Sequence, residues 1–166
     1  MPHEDQQIET TERIMYLLNR IRVHTADVVA SALSDLELTG TQALILETLL
    51  ERGPTSAAEL GRRCLITRQA LSAPLNALER RGLVSRPRSD VSARQRPSSL
   101  TDSGRETAVS VRERVLRLER GSVQSFTAEE RAALEELLRR YADFWTGQAG
   151  SRPASAEAET AGKDLK

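Results

Sequence analysis

The stretch PTSAAELGRRCLITRQALSAPLNALERRGL, residues 54–83, decides how the rest of the chain is interpreted. Ser56 with Glu59 three residues later has the spacing of a capping box, which predicts a helix from about Ala57. Thr67 is a second N-cap candidate, and the segment that it opens carries leucines at positions 71, 75 and 78. Spacings of four and three residues place these leucines on one helical stripe. The sequence therefore predicts two short helices joined by a tight turn.

The second predicted helix has a polar side and a defined end. Arg68, Gln69, Ser72 and Asn76 fall away from the leucine stripe, and Gly82 supplies the left-handed residue that closes a helix. Two closely joined helices, the second presenting short polar and arginine side chains, indicate a helix-turn-helix. An ordinary helical hairpin in a core would show the same pattern, so these residues alone leave both interpretations open.

Composition narrows the classes of protein to consider. The chain has 166 residues, of which 39% are hydrophobic and 3% aromatic, so we expect a modest aliphatic core. Much of the apolar surface on long helices would then be buried only against a second subunit. No apolar run approaches the ~20 residues that span a bilayer. The N-terminus is polar and shows no signal-peptide pattern, so we expect a cytoplasmic protein without a membrane partner.

No pattern of catalytic or metal-binding residues stands out. His3 and His24 are far from Cys64 in sequence, and neither a Gly-x-Ser-x-Gly motif nor a glycine-rich phosphate loop occurs. We predict a protein that is not an enzyme and that holds no cofactor and no metal. Cys64 lies beside Arg63, and a neighbouring cation favours the reactive thiolate form of cysteine, so a reactive thiol is one interpretation. The flanking Leu60 and Leu65 instead favour a buried, inert thiol.

Charge is distributed unevenly, although 24 basic and 24 acidic residues give a net charge of zero. Residues 62–96 hold nine arginines against Glu79 and Asp90, a net charge of +7, so the remainder carries −7. A basic middle between acidic ends is the electrostatic footprint of a DNA-binding module.

Long helices are predicted on both sides of this module. Residues 9–36 contain no Gly or Pro, and a helix of 20 residues is ~30 Å long, more than a small domain covers. Packing against a second subunit is therefore expected, although packing on the chain's own domain is the alternative. Near the C-terminus, Thr127 and Glu130 form a capping box before an apolar stripe. The two stripes comprise Ile14, Leu18, Ile21, Thr25, Val28 and Ala32, and Leu134, Leu137, Leu138, Tyr141, Phe144 and Trp145.

Three shorter elements are predicted between the long helices. Thr39 and Gln42 form a capping box, and Gly53-Pro54 ends the helix that they open. The buried face of that helix is expected to comprise Ala43, Leu44, Leu46, Leu49 and Leu50. After Gly82, a short apolar run leads into an arginine-rich segment with two prolines, the layout of a hairpin with a basic tip. A charged helix is expected from about Arg105 to Arg120.

The order of these segments resembles the MarR family of bacterial transcriptional regulators over roughly residues 12–146. The resemblance rests on LTGTQALILETL, GPTSAAELGRR, TRQALS, LNALERRGLVSR, SLTDSGR and FTAEERAALEELLRR, in that order. It implies a fold that is mainly α with a small β-hairpin wing, a winged helix-turn-helix with long terminal dimerisation helices. The expected domains are an N-terminal dimerisation helix at 8–38, a DNA-binding lobe at 39–103, C-terminal dimerisation helices at 104–147 and a disordered tail at 148–166.

The resemblance also implies a function. It suggests a homodimeric, sequence-specific repressor that binds an inverted-repeat operator in double-stranded DNA and is released by a small aromatic or phenolic effector. The helix from Thr67 would enter the major groove, and the hairpin would touch the minor groove. The DNA-binding candidates are Ser56, Thr67, Arg68, Gln69, Ser72, Asn76, Arg88, Arg94 and Arg96. Tyr16, Arg20 and His24 on the first helix are the ligand-binding candidates, with a solvated face as the alternative.

The chain departs from the family pattern in three places. Pro74 lies inside the expected recognition helix, which predicts either a kink or a helix that restarts at Ser72. The wing tip has Ser92-Ala93-Arg94 where an Asp-Arg-Arg-like tip is usual, so only Arg94 matches. Pro97 lies in the returning wing strand, which predicts an edge strand. These departures motivate an alternative function, a protein-interaction module that has lost sequence-specific DNA binding.

Overall fold

The computed structural model describes residues 9–86 and 97–150, and it divides into two compact units between Arg120 and Gly121. The first helix, α1, spans Ile14–Ala32, and short 3₁₀ turns at Thr10–Glu12 and Ser34–Leu36 flank it. No residue of α1 is buried. Val29 packs partly buried against the core, and Leu33, just after α1, is fully buried. The helix is shorter than the span from Glu9 to Leu36 that its pattern suggested.

Helix α2 spans Gly40–Arg52 and begins as predicted. The Thr39 N–H donates to Oε1 of Gln42 at 2.9 Å, and the Gln42 N–H donates to Oγ1 of Thr39 at 3.2 Å. Gly53, at φ 73°, ends the helix. The predicted buried face was wrong at Leu44, which is 42% exposed, whereas Ile45 is fully buried. Leucine and isoleucine are both aliphatic, so the sequence pattern does not say which of the two faces inward. Contacts with the neighbouring elements decide it.

Two short helices follow at the positions that the capping residues predicted. Helix α3 spans Ala57–Arg63, and helix α4 spans Arg68–Arg80. Their buried leucines pack with those of α2 in one aliphatic cluster. The largest fully buried members include Leu46, Leu49, Leu60, Leu71, Leu75 and Leu78. Because these side chains come from three helices, the core fixes the angle at which α4 is held.

A small antiparallel sheet lies beside these helices. Strands β1 (Thr55–Ser56), β2 (Val84–Ser85) and β3 (Pro97–Leu100) are ordered β1-β3-β2, with Thr55 opposite Ser98 and Val84 opposite Leu100. The prediction of an edge strand at Pro97 was wrong, since β3 is the central strand. Pro97 is tolerated because it is the first residue of that strand, where a missing N–H costs least. The segment between β2 and β3 lies outside the described residues.

Helix α5 spans Asp102–Ser122 and is anchored at its start to the end of α4. The Thr101 hydroxyl accepts from the Gly104 N–H at 3.0 Å and donates to the Gly82 carbonyl at 2.6 Å. A Cβ at Gly104 would lie 1.8 Å from the Leu83 carbonyl oxygen, so only glycine permits this approach. The helix therefore begins three residues before the predicted Arg105.

Helix α6 spans Ala128–Gly150 and has the predicted capping box. The Thr127 N–H donates to Oε2 of Glu130 at 2.8 Å, and the Glu130 N–H donates to Oγ1 of Thr127 at 3.2 Å. Within the single chain its large apolar residues are exposed: Leu137 by 60%, Phe144 by 55% and Trp145 by 46%. No helix in the described ranges is long and apolar enough to cross a membrane. The architecture, six helices with a three-stranded sheet in the described parts, confirms the predicted winged helix-turn-helix class.

Candidate nucleic-acid interface

Both ends of α4 are fixed by local hydrogen bonds. Oγ1 of Thr67 accepts from the Ala70 N–H at 3.1 Å, which confirms the predicted N-cap. At the other end, the Leu83 N–H donates to the Leu78 carbonyl at 3.0 Å, and the Gly82 N–H donates to the Glu79 carbonyl at 2.9 Å. This pair of bonds is a Schellman motif, with Gly82 left-handed at φ 69°. The helix is therefore capped by hydrogen bonds at both termini.

One face of α4 is buried and the opposite face is exposed. Leu71, Leu75 and Leu78 are at most 2% exposed. The predicted base readers Arg68, Gln69, Ser72 and Asn76 are all exposed, and at 3.6 residues per turn they fall within roughly 100° of arc. The structure thus brings these four predicted residues together on one surface.

The row of exposed residues at spacing four continues one turn further than the sequence analysis recognised. Arg80 follows Arg68, Ser72 and Asn76 at the same spacing and is also exposed. Extending the predicted polar row by four residues would have found it. Arg80 is therefore a candidate interface residue that the sequence analysis missed.

Ser56, the other predicted DNA-binding residue that caps a helix, is less accessible to DNA than predicted. Oγ of Ser56 accepts from the Glu59 N–H at 3.3 Å and caps α3, and Ser56 is half-buried in β1. Thr67, by contrast, caps α4 and remains exposed. The wing candidates Arg88, Arg94 and Arg96 lie outside the described residues.

Pro74 does not interrupt α4. The helix is continuous from Arg68 to Arg80, so the predicted restart at Ser72 was wrong. The Leu71 N–H already bonds the Thr67 carbonyl at 2.9 Å, which commits the chain to helix before Ser72 is reached. Pro74 has no N–H to donate to the Ala70 carbonyl. A groove of about 420 Å³ lies there, lined by the proline side of α4 and by Thr39 and Gln42 at the start of α2.

Several arginines of the basic segment are bound within the protein. Glu59 accepts from Arg62 at 2.5 Å and from Arg63 at 2.6 Å. The Arg62 hydrogen bond, followed by that of Arg63, holds the pKa of the Glu59 carboxyl below its ordinary value. The Arg81 guanidinium donates to the carbonyls of Glu37 and Leu36 at 2.8 and 2.9 Å. Three of the nine arginines of the basic segment are therefore already paired within the protein.

Arg86 joins the start of the wing to α4. Its Nε donates to Oε2 of Glu79 at 2.9 Å, and its Nη2 donates to the same carboxylate and to Oδ1 of Asn76. In the part of the chain that the structure describes, Arg68 and Arg80 are the arginines of this segment whose guanidinium groups make no hydrogen bond or ion pair. These two cations remain available to an external anion.

The remaining candidates lie away from α4. Cys64 is 4% exposed, and its Sγ lies 3.6 Å from Oγ1 of Thr48, which confirms the interpretation of a buried thiol. The neighbouring Leu65, expected in the core, is instead 89% exposed. Tyr16, Arg20 and His24 are exposed along one face of α1. No cluster of three or more potential metal ligands occurs among the described residues.

Comparison with known proteins agrees with this architecture. The sequence profile of the MarR family matches residues 36–95. The structure is similar to that of the MarR family protein Rv2887 of Mycobacterium tuberculosis in complex with salicylic acid, with 32% identity, a TM-score of 0.61, and coverage of 78% of this chain and 96% of that chain. The complex of Rv2887 with DNA gives 29% identity, a TM-score of 0.64, and coverage of 78% and 97%.

A third similar structure comes from another bacterium. A probable transcriptional regulator from Pseudomonas aeruginosa is 25% identical, with a TM-score of 0.70 and coverage of 78% of this chain and 97% of that chain. A search of curated proteins finds no significant match. The profile match, the 32% identity over nearly the whole of Rv2887 and the shared winged-helix architecture show that this chain belongs to the MarR family of transcriptional regulators.

Proposed function

We propose that the protein is a homodimeric, sequence-specific DNA-binding repressor that a small aromatic or phenolic molecule releases from its operator. The observation that carries this proposal is the exposed face of α4, where Arg68, Gln69, Ser72 and Asn76 point away from the buried leucines. These side chains offer hydrogen-bond donors and acceptors of the kinds that read base edges.

The dimensions and charge of α4 support its insertion into DNA. A helix of 13 residues is ~20 Å long, and the major groove, about 12 Å wide, admits an α-helix. Arg68 and Arg80 carry free guanidinium groups at opposite ends of the row and are suited to base edges or phosphates. The related protein Rv2887 has been crystallised with DNA, which supports the same activity for this chain.

Dimerisation would use the two long terminal segments, 8–38 and 104–147. Ile14, Ile21 and Val28 are at least 50% exposed on α1, and Leu137, Phe144 and Trp145 are exposed on α6. Apolar faces of this kind mark interfaces, and most soluble homo-oligomers have two-fold symmetry. A two-fold dimer selects an inverted repeat whose half-sites lie ~10 bp apart.

An effector would act through the dimerisation helices. Rv2887 binds salicylic acid, which is both phenolic and carboxylate-bearing. On α1, Tyr16, Arg20 and His24 follow one another at a spacing of four residues and offer an aromatic ring, a guanidinium and an imidazole. A guanidinium is suited to bidentate pairing with a carboxylate. A ligand that binds best to one spacing of the two DNA-binding lobes would lower the fraction of dimers whose spacing fits the operator.

Selection of bound sequences from a random DNA pool tests the proposal. We expect a palindrome from the wild type, and we expect Arg68→Ala to relax one position in each half-site at a cost of ~1–3 kcal/mol. Arg94→Ala should instead weaken binding to all sequences alike and reduce the salt-dependence slope by ~1. Identical effects of both variants on matched and scrambled DNA would show that the roles are misassigned.

The same selection separates the proposal from its alternative. A protein-interaction module that has lost sequence-specific binding would enrich no motif from the wild type. Its association with DNA would be salt-sensitive and independent of sequence, with Kd of ~10⁻⁴–10⁻⁶ M.

A further inference from the structure

Arg86 holds one side of the Asn76 amide. Nη2 of Arg86 donates to Oδ1 of Asn76 at 2.6 Å. The same guanidinium is fixed by Glu79, one turn along α4, through the 2.9 Å bond from Nε. The side chains of Arg86 and Glu79 are 30% and 39% exposed, so the ion pair lies partly shielded between α4 and the strand that leads into the wing.

The chemistry of this contact leaves one orientation for the amide. A guanidinium has N–H donors and no acceptor, whereas an asparagine amide has one acceptor side and one donor side. The atom that faces Arg86 must therefore be the carbonyl oxygen, and the NH₂ group occupies the opposite side.

From this geometry we infer that Arg86 is a specificity-determining residue, which sets the hydrogen-bonding polarity of Asn76 so that it presents N–H donors to a base edge. The inference rests on the proposed DNA-binding function. Guanine offers two acceptors in the major groove, N7 and O6, whereas cytosine offers only a donor. Asn76 then favours guanine over cytosine at one position in each half-site, and Arg86 acts through Asn76 without touching that base.

Two substitutions test the inference in the DNA selection. Asn76→Asp is nearly isosteric and keeps the contact with Arg86, but it turns the outward group from a donor into an acceptor. We expect the preferred base at one position to change from guanine to cytosine, because carboxylates accept from the cytosine amino group. Arg86→Met frees the Asn76 amide to rotate, so the preference at that same position, on the order of tenfold, should be lost.

Arg62→Met is the matched control for the lost charge. It removes an arginine of the same lobe that, like Arg86, pairs with a glutamate, in this case Glu59 on α3. Any loss of affinity should be equal for all sequences, and the preferred bases should stay unchanged. A wild type without any motif would contradict the proposed function itself. A wild-type motif that both Asn76→Asp and Arg86→Met leave unchanged would overturn only the role of Arg86 and Asn76.

A measurement without DNA provides a second test. The sequence has two asparagines, Asn19 and Asn76, so their side-chain amide signals can be assigned by single substitutions in nuclear magnetic resonance spectra. In Arg86→Met we expect the order parameter of the Asn76 amide to fall below about 0.6. Oδ1 of Asn19 accepts from Arg22 at 3.0 Å on α1, so its amide serves as the internal control and should not change. An Asn76 amide equally ordered in both proteins would overturn the inference.

Discussion

Leu65, in the turn between α3 and α4, occupies a position where helices usually end in glycine. The Ile66 N–H donates to the Gly61 carbonyl at 3.0 Å, the six-to-one bond of a Schellman motif, and Leu65 is left-handed at φ 53°. Gly82 has the equivalent place at the end of α4. A left-handed conformation costs an L-residue with a Cβ about 1–2 kcal/mol, so the turn of the helix-turn-helix is strained at this residue.

Replacing Leu65 by glycine should therefore stabilise the fold. The side chain is 89% exposed, so Leu65→Gly loses almost no buried apolar area. We expect the free energy of unfolding in urea to rise by about 1 kcal/mol, because the left-handed conformation costs glycine little.

Gly82→Ala provides the reciprocal control. A Cβ at Gly82 would meet no atom within 4 Å, so the substitution tests backbone conformation alone. It should lower the free energy of unfolding by about 1 kcal/mol. Stabilisation by both substitutions, or by neither, would contradict the backbone explanation.

At the scale of elements, Pro74 removes one backbone hydrogen bond from α4. The helix continues through the proline, but the Ala70 carbonyl lacks the N–H that an alanine at position 74 would donate. Because the residues before Pro74 include the predicted readers Arg68, Gln69 and Ser72, any change of helix direction at the proline would alter their aim.

Pro74→Ala should raise stability and change the preferred operator. Restoring the hydrogen bond to Ala70 is expected to increase the free energy of unfolding by up to about 3 kcal/mol. Denaturation measures the first effect, and selection from a random DNA pool measures the second.

Pro54→Ala is the matched control for this change. It makes the same chemical replacement in an exposed turn after α2, where no helical hydrogen bond is restored. Because alanine gives the unfolded chain more conformational entropy than proline does, the free energy of unfolding should fall slightly. A motif that appeared only for Pro74→Ala, and not for the wild type, would support the interaction-module alternative.

At the scale of the whole molecule, α1 and α6 each expose a row of large apolar side chains. Each is exposed within the single chain, and on α6 the rings of Phe144 and Trp145 meet edge to face with centroids 5.2 Å apart. Clustered aromatic residues often supply the anchors of protein interfaces. This arrangement supports the proposed homodimer.

Replacing Leu137 and Trp145 together by glutamine should dissociate or unfold the dimer. Light scattering after gel filtration measures the change in mass. Leu65→Gln is the control, since it removes an exposed leucine outside the proposed interface and should leave the dimer intact. A wild type that is monomeric at micromolar concentration would contradict the proposal.

The sequence by itself determined where several of the helices begin and end. Thr39, Ser56, Thr67 and Thr127 each cap a helix where their spacing predicted it, and Gly53 and Gly82 each end one. These signals are local, because a cap or a left-handed residue bonds to groups within a few positions of it. The leucine stripe likewise identified the exposed face of α4, since a helix has a fixed period.

Only the tertiary structure decided which residues are inside and which arginines are free. Ile45 rather than Leu44 is buried, Pro97 begins a central strand, and Arg81 and Arg86 bind groups 44 and 7 residues away. A long guanidinium side chain can reach partners that the sequence pattern does not place nearby, so charge counted along the chain overstates the charge offered to DNA. Burial and pairing depend on neighbours brought together by folding, and no local pattern specifies them.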